Sequence, residues 1–147
     1  EAHEEAKRAL QDLRDLARGL HPAILTDHGL EAALPALAAR CPIPTRVDIA
    51  VSPRPIPAVE SAAYFVVAEA LTNVARYSQA TNVLVTARRE ANQLTIEVRD
   101  DGIGGARVTP GGGLAGLTDR VEALDGRLTV SSPGGGPTVV HVEVPCG

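Results

Sequence analysis

The chain has 147 residues, of which 44% are hydrophobic but only 2% aromatic, so a core would consist mainly of aliphatic side chains. This length suffices for one domain with a core of its own. The formal net charge of −4 argues against nucleic acid or an anionic membrane as the main partner, because both favour clustered Lys and Arg.

The N-terminal part of the chain is predicted to be helical. A helix over residues 1–20 would carry an apolar seam of heptad spacing, formed by Ala6, Leu10, Leu13, Ala17 and Leu20. A second helix is expected from about Gly29 to Arg40, with Asp27 as its cap and a kink at Pro35.

The remaining chain alternates between helices and strands. Long helices are predicted from Ala58 to Tyr77 and from about Ala115 to Asp125, and residues 101–113, with six glycines, are expected to form a loop. Alternating apolar residues predict five strands, centred on Val47–Val51, Val83–Ala87, Leu94–Val98, Leu128–Val130 and Val139–Val144. This order predicts an α/β (α+β) two-layer sandwich, with helices on one face of a mixed, mainly antiparallel sheet.

A polar stripe marks the end of the first long helix. Residues four and seven apart share a helix face, which aligns Glu69, Asn73 and Arg76, with Tyr77 beside them. Carboxylate and amide oxygens suit Mg²⁺, and a guanidinium suits phosphate oxygens. A solvated helix face would explain such a stripe on its own, but the glycine-rich segments that follow favour a site for a metal-bound phosphate.

Two glycine-rich segments follow the stripe. Asp100–Gly104 is an acidic turn, and the glycines at 111–113 precede a helix whose first amides would form an anion site. The segment 111–116 also satisfies G-x-G-x-x-G. The dinucleotide fold is excluded, however, because no strand precedes these glycines and no acidic residue lies near Val130. The P-loop and protein-kinase signatures are missing as well.

Together these motifs resemble the nucleotide-binding boxes of the GHKL ATPases, which include gyrase, the heat-shock chaperone ATPases, MutL and the sensor histidine kinases. Glu69–Tyr77 resembles the N box, Asp100–Gly104 the G1 box and Gly111–Leu117 the G2 box. Gly134–Thr138 is similar to the last glycine box, with Pro137 inserted between glycine and threonine. The resemblance implies a Bergerat-type ATP-binding fold.

The N-terminal segments narrow the resemblance. Leu20–Leu25 and Gly29–Leu34 are similar to sensor histidine kinases that pair with helix-turn-helix response regulators of the LuxR/NarL type. This implies that residues 1–26 are the end of a dimerisation helix and a linker, and that residues 27–147 are the ATP-binding catalytic domain. It also implies Mg²⁺, ATP and ADP as ligands. The partners would be the dimerisation and histidine-phosphotransfer domain of the same homodimeric protein, and a response regulator.

The resemblance implies a role for each matching residue. Asp100 would accept a hydrogen bond from the adenine amino group, with Gly102 and Gly104 allowing close backbone approach. Asn73 would coordinate Mg²⁺, and Glu69 would hold a metal-bound water or act as a base, so these two are the catalytic candidates. The remaining nucleotide-binding candidates are Arg76 and the amides of Gly113, Leu114, Gly116 and Leu117 at the phosphates, Tyr77 at the nucleoside, and Thr138 beside Asp100.

No histidine in the chain has the R-x-L-H-D-like context of the phosphate acceptor in these kinases. We therefore expect the acceptor to lie outside this chain, rather than at His3, His21, His28 or His141. An ATP-hydrolysing clamp, an anti-sigma-factor-type serine kinase and a non-catalytic ATP-sensing module remain alternatives. Two widely spaced cysteines predict reduced cytoplasmic thiols, and no apolar run in the sequence is long enough to span a membrane. Because the chain lacks methionine and starts within a predicted helix, we expect it to be a piece of a longer protein, with or without a membrane anchor elsewhere.

Overall fold

The computed structural model describes residues 22–105 and 113–146, with only the backbone of Tyr77 and Ser78. Within these residues, helices cover one face of a five-stranded sheet. The helix predicted over residues 1–20 and much of the predicted 101–113 loop lie outside the described residues.

The sheet is mixed and mainly antiparallel, as predicted. Its strands are β1 Thr45–Ala50, β2 Val83–Glu90, β3 Gln93–Asp100, β4 Arg127–Ser131 and β5 Thr138–Pro145. They lie in the order β1-β2-β3-β5-β4; β1 and β2 are parallel, and the other neighbouring pairs are antiparallel. The parallel pair follows from its connection, because the chain crosses from β1 to β2 through a long helix, whereas only Ala91 and Asn92 join β2 to β3.

The helices pack on one face of this sheet. They are α1 Ala23–His28, α2 Leu30–Arg40, α3 Pro57–Asn73 and α4 Gly113–Ala123, and a π-helical turn, Val74–Ser78, follows α3. Alternation along the strands separates the two faces. Val85, Val98 and Val140 lie side by side and are buried, whereas Leu84 and Arg99 are exposed on the opposite face. The predicted two-layer arrangement is therefore confirmed.

The first described residues differ from the prediction. Ala23–His28 form a short helix that was not predicted, and Asp27 lies inside this helix rather than capping α2. Gly29 separates the two helices with a φ of 77°, a left-handed conformation that glycine adopts without strain. Leu25 is 1% exposed, so α1 packs into the core and continues through the proposed boundary between residues 26 and 27.

Helix α3 is buried on most of its circumference because α2 and α4 flank it above the sheet. Besides the predicted polar stripe, α3 carries several further polar side chains, and these are buried. Each has a partner: Glu60 with Arg54, Ser61 with Arg120, and Thr72 with the Ala68 carbonyl. Even with this apolar helix, the described part of the chain contains no helix long and apolar enough to span a membrane.

Candidate nucleotide site

The polar stripe lies where α3 ends and its geometry changes. The α-helix stops at Asn73, the π-helical turn follows, and Gln79 leaves the turn with a φ of 56°. The prediction of a regular helix as far as Tyr77 is therefore wrong in its last turn. A π-helical turn contains more residues than an α-helical turn, so Arg76 is rotated from its expected alignment with Glu69 and Asn73.

Glu69 lies where α3 meets the start of α4. Burial raises the pKa of its carboxyl above the ordinary value, and the positive charge of Arg76 opposes part of this shift. Arg76 therefore still acts on Glu69 across the π-helical turn. A Cβ on Gly113 would collide with the Glu69 carboxyl group, so glycine provides the space that this carboxyl occupies.

The first turn of α4 supplies backbone donors beside Glu69. The helix begins at Gly113, slightly earlier than predicted, and its first amides have no partners within the helix. Leu114 and Leu117 are each 7% exposed, so their side chains belong to the core. The amide of Leu117 lies one turn into the helix, where it joins the helical hydrogen bonds. The geometry therefore favours Gly113 and Leu114 over Leu117 as phosphate donors, while Gly116 faces open space.

Asp100 is the last residue of β3, and only 3% of it is exposed. Its carboxylate accepts a hydrogen bond from the Gly102 amide at 2.8 Å. Burial raises the pKa of Asp100; the Gly102 amide opposes this shift, and the charge of Asp101 adds to it. Because a carboxylate offers about four acceptor positions, the bond to Gly102 leaves capacity for a donor on a ligand.

Thr138 lies next to Asp100 on the neighbouring strand. The two residues are partners in the β3–β5 register, and Thr138 is 8% exposed. Its hydroxyl lies 2.5 Å from that of Ser132, which joins the two ends of the turn between β4 and β5. This position agrees with the supporting role expected beside Asp100, although the role itself stays a prediction.

Gly102 and Gly104 contact a second glycine turn. A Cβ on Gly104 would collide with the Pro133 carbonyl, and one on Gly136 would collide with the Gly102 carbonyl. Both glycines therefore lie against another turn of the protein, and the close approach of a nucleotide expected at Gly102 and Gly104 stays a prediction. Backbone bonds join the turns, from Gly135 to the Ile103 carbonyl at 2.8 Å and from Gly105 to the Ser132 carbonyl at 3.0 Å.

The predicted site residues form two groups. The first set, called the phosphate group of residues because of its expected ligand, comprises Glu69, Asn73, Arg76 and the start of α4 at Gly113. The base group of residues comprises Asp100, Gly102 and Thr138. Tyr77 lies in the π-helical turn next to the phosphate group, but only its backbone is described.

Two polar residues near the site had no role in the sequence analysis. Asp101 accepts hydrogen bonds from Thr81 and Asn82, and Arg120 joins α4 to α3 through Ser61. The only sequence signal for Asp101 was its place next to Asp100, where strand alternation directs the two side chains to opposite faces. Arg120 gave no distinct signal, because an arginine on an amphipathic helix is usually solvated.

Comparisons with known proteins agree with these features. The profile of the family described as "Histidine kinase-, DNA gyrase B-, and HSP90-like ATPase" matches residues 58–147. The oxygen sensor histidine kinase NreB of Staphylococcus carnosus is 31% identical over 147 residues, covering 94% of this chain and 42% of NreB. The nitrate/nitrite sensor protein NarX of Escherichia coli K12 is 32% identical over 132 residues, covering 86% of this chain and 21% of NarX. The chain therefore spans less than half the length of these relatives.

Solved structures share the fold. The histidine kinase domain of the blue-light activated histidine kinase from Erythrobacter litoralis EL346 aligns with a TM-score of 0.61 at 21% identity, over 97% of this chain and 72% of that one. The Acinetobacter baumannii histidine kinase AdeS aligns with a TM-score of 0.59 at 17% identity, over 97% and 76%. These low identities establish the fold alone, whereas the family profile covers more than half of the chain. On that basis, the chain belongs to the histidine kinase-, DNA gyrase B- and HSP90-like ATPase family.

Proposed function

We propose that this chain is the Mg-ATP-binding catalytic domain of a sensor histidine kinase, which donates the γ-phosphoryl group of ATP to a histidine outside the chain for relay to a response regulator. The contact between the Glu69 carboxyl group and Gly113 carries the proposal, because it brings an acidic group of α3 to the first turn of α4, whose amides have no partners within the helix. The names of the related sensor kinases support the phosphotransfer step.

The residues present fit a magnesium–phosphate group. Mg²⁺ is commonly bound by one or two protein oxygens, with substrate phosphates and waters completing its octahedron. Asn73 offers an amide oxygen, and Glu69 a carboxylate that would hold a metal-bound water. Among the described residues, no group of three or more His, Cys, Asp and Glu side chains could hold a metal ion. When bound, Mg²⁺ neutralises charge that develops on the phosphates.

The protein itself would mainly bind and orient ATP. Arg76 would pair with phosphate oxygens, and the first amides of α4 would donate to them. At the other end of the ligand, Asp100 would accept a hydrogen bond from the adenine amino group and so select adenine over guanine, which has a carbonyl oxygen at that position. Phosphoryl transfer depends mostly on such positioning and on charge neutralisation.

Glu69 has the properties of a general base. Its raised pKa makes the carboxylate a stronger base than a solvated glutamate, and the charge of Arg76 limits the shift. We propose that it accepts a proton from the attacking histidine or orients a metal-bound water. If Glu69 only activated water, the domain would be an ATP-hydrolysing clamp. The reaction products therefore distinguish the two functions: phosphohistidine for the kinase, and free phosphate for the clamp.

The proposed partners follow from the family rather than from a surface of the described residues. They are the dimerisation and histidine-phosphotransfer domain of the same protein, with residues 1–26 as its end, and a response regulator. We further propose a homodimeric parent and a cytoplasmic location for this domain. No observation favours the clamp, the serine kinase or the ATP-sensing module.

The first prediction tests binding and transfer together. By isothermal titration calorimetry, the wild type should bind Mg-ATP more tightly than Mg-GTP. Asp100→Asn should weaken Mg-ATP binding by roughly 10- to 100-fold, as expected for a lost hydrogen bond to a charged acceptor worth ~1.5–3 kcal/mol. Asp48→Asn is the matched control, since Asp48 is an exposed aspartate on β1.

Transfer is then measured with a separate polypeptide that carries the family's acceptor helix. Acid-labile label from γ-labelled ATP should appear on that polypeptide and not on this chain. ATP hydrolysis without labelling would indicate a clamp, labelled serine a serine kinase, and tight binding without any turnover a sensing module. Undiminished ATP binding by Asp100→Asn would show that the base group is assigned wrongly.

A further inference from the structure

Asp100 and Asp101 are neighbours in sequence but serve different parts of the structure. Asp100 is buried in the base group, whereas Asp101 is exposed and directed elsewhere. One Asp101 oxygen accepts hydrogen bonds from the Thr81 amide at 2.8 Å and the Asn82 amide at 3.0 Å. Its other oxygen accepts from the Thr81 hydroxyl at 2.7 Å. Three donors therefore converge on this carboxylate.

Two more hydrogen bonds support this junction, the place where Asp101 meets Thr81 and Asn82. The amide of Asp101 donates to the Asn82 carbonyl at 3.3 Å, and the Asn82 side chain donates to the Thr81 hydroxyl at 3.2 Å. The hydrogen bonds from Thr81 and Asn82 hold the pKa of the Asp101 carboxyl well below its usual range. The carboxylate thus remains charged near neutral pH, and a charged acceptor makes stronger hydrogen bonds than a neutral one.

The junction connects the two groups of site residues. Thr81 and Asn82 belong to the short segment that leaves the π-helical turn after Gln79 and enters β2. The π-helical turn contains Arg76 and begins directly after Asn73. Both of these residues belong to the phosphate group of residues. Asp101 itself follows directly on Asp100, in the base group. Its carboxylate therefore joins the chain segments that bear the two groups.

We infer that Asp101 is a positioning residue of the nucleotide site, which sets the spacing between the phosphate group and the base group. This inference rests on the proposed ATP-binding function. A ligand that contacts both groups, such as Mg-ATP, depends on their spacing. Adenosine has no phosphates to meet the phosphate group of residues, so its affinity should depend less on that spacing than the affinity for Mg-ATP does.

The test, our second prediction, compares the two ligands in matched variants. Affinity for Mg-ATP is measured by calorimetry and affinity for adenosine by NMR titration. Asp101→Ala should reduce the ratio of ATP to adenosine affinity about tenfold, a typical size for coupling between two sites. Asp101→Asn keeps one oxygen for the two amides and should recover part of that ratio. Asp48→Asn, which alters an exposed aspartate 3.4 Å from Arg88, should leave the ratio unchanged.

A structural role without positioning predicts a different pattern. Equal losses for both ligands in Asp101→Ala, or no loss for either, would overturn the inference, whatever the change in Tm. If Asp101→Ala does not fold, Thr81→Ala removes one of the three donors and should reduce the ratio in the same direction; an unchanged ratio there would also overturn it. Failure of the wild type to bind Mg-ATP would instead refute the proposed function on which the inference rests.

Discussion

Glu69 combines a cost to stability with its proposed chemical role, because burial disfavours the charged form of its carboxyl. A carboxyl whose pKa is raised on folding binds more protons in the folded chain than in the unfolded chain. The free energy of unfolding therefore falls as the pH rises above the ordinary value of 4.5. Arg76 offsets part of this loss, so the two residues are coupled in stability as well as in position.

The third prediction is that Glu69→Gln stabilises the ligand-free chain at neutral pH. The amide packs against Gly113 without a charge, so the variant should have a higher Tm than the wild type, and the difference should shrink as the pH falls toward 4.5. Thermal unfolding between about pH 4 and pH 8 checks this. Glu122→Gln, on the exposed face of α4, is the control. A lower Tm for Glu69→Gln at neutral pH would contradict the stated cause of the pKa shift.

Single residues show where sequence analysis reaches its limit. The identity and order of Glu69, Asn73 and Asp100, together with the glycine-rich segments after them, sufficed to predict a nucleotide site. The role of Asp101 did not follow, because its donor Thr81 lies 20 residues away in sequence. Their meeting depends on how the ends of β2 and β3 align, and no local pattern reports that alignment. The packing of Gly104 against the turn at Pro133 and Gly136 could not be predicted for the same reason, since that turn is distant in sequence.

At the level of elements, one arginine joins α3 and α4, the two helices that contribute to the phosphate group of residues. Arg120 on α4 donates to the Ser61 hydroxyl on α3 at 2.7 Å, and its guanidinium lies 5.3 Å from the centre of the Phe65 ring. The start of α4 meets α3 at a second point, where Gly113 contacts Glu69. Two contacts along the helices fix how they cross, so Arg120 helps to hold the first turn of α4 beside Glu69.

The fourth prediction is that Arg120→Ala loosens α4. Loss of a cation–π contact and a hydrogen bond together worth about 1 kcal/mol should lower Tm by about 3 °C. Amide hydrogen exchange in the first turn of α4 should become faster. For Arg120→Lys, both Tm and the exchange rate should lie between those of the wild type and Arg120→Ala, because an ammonium cannot stack like a guanidinium. Arg127→Ala, on the exposed face of β4, serves as the control. Equal effects of the two alanine variants would show that Arg120 is only a solvated charge.

Elements with clear periodicity were predicted well, and their ends less so. Alternating apolar residues located all five strands, because one face of the sheet is buried and the other is exposed. The ends of helices depend on contacts that periodicity does not contain. Asp27 was expected to cap α2, yet Gly29 precedes that helix directly, and Val74 begins a π-helical turn within what the sequence predicts as a continuous helix.

Across the whole molecule, α3 connects two polar centres. The helix has 17 residues and is about 25 Å long, with Glu60 near its start and Asn73 at its end. At the start, Arg54 donates to both Glu60 oxygens at 2.7 and 3.1 Å, and to the carbonyls of Leu25 and Thr26 at 3.1 and 3.3 Å. Arg54 thereby attaches α1 to α3 at the end of α3 opposite the candidate nucleotide site. The sequence predicted the layers but not this attachment, because it joins segments distant in sequence.

The fifth prediction is that Arg54→Ala releases α1 while the nucleotide site keeps its affinity. Glu60 is 3% exposed, so loss of Arg54 would leave a buried carboxylate without its partner, and Tm should fall well below that of the wild type. Amide exchange in Ala23–His28 should become faster. Mg-ATP affinity, measured by calorimetry below the lowered Tm, should change less than about twofold, because distant sites are usually independent.

Two comparisons distinguish the effect of an unpaired, buried Glu60 from the general effect of losing an arginine. Arg88→Ala breaks an ion pair on the surface, in which the side chain of Arg88 is 50% exposed and that of Asp48 is 48% exposed, so this variant should change Tm little. Combining Arg54→Met with Glu60→Leu removes both charges and should recover part of the lost Tm, since no unpaired buried charge remains. Exchange in α1 should nevertheless stay fast in the double variant, because a methionine side chain cannot donate to the carbonyls of α1. Slow exchange there would show that apolar packing of Leu25, rather than Arg54, holds α1 on the domain.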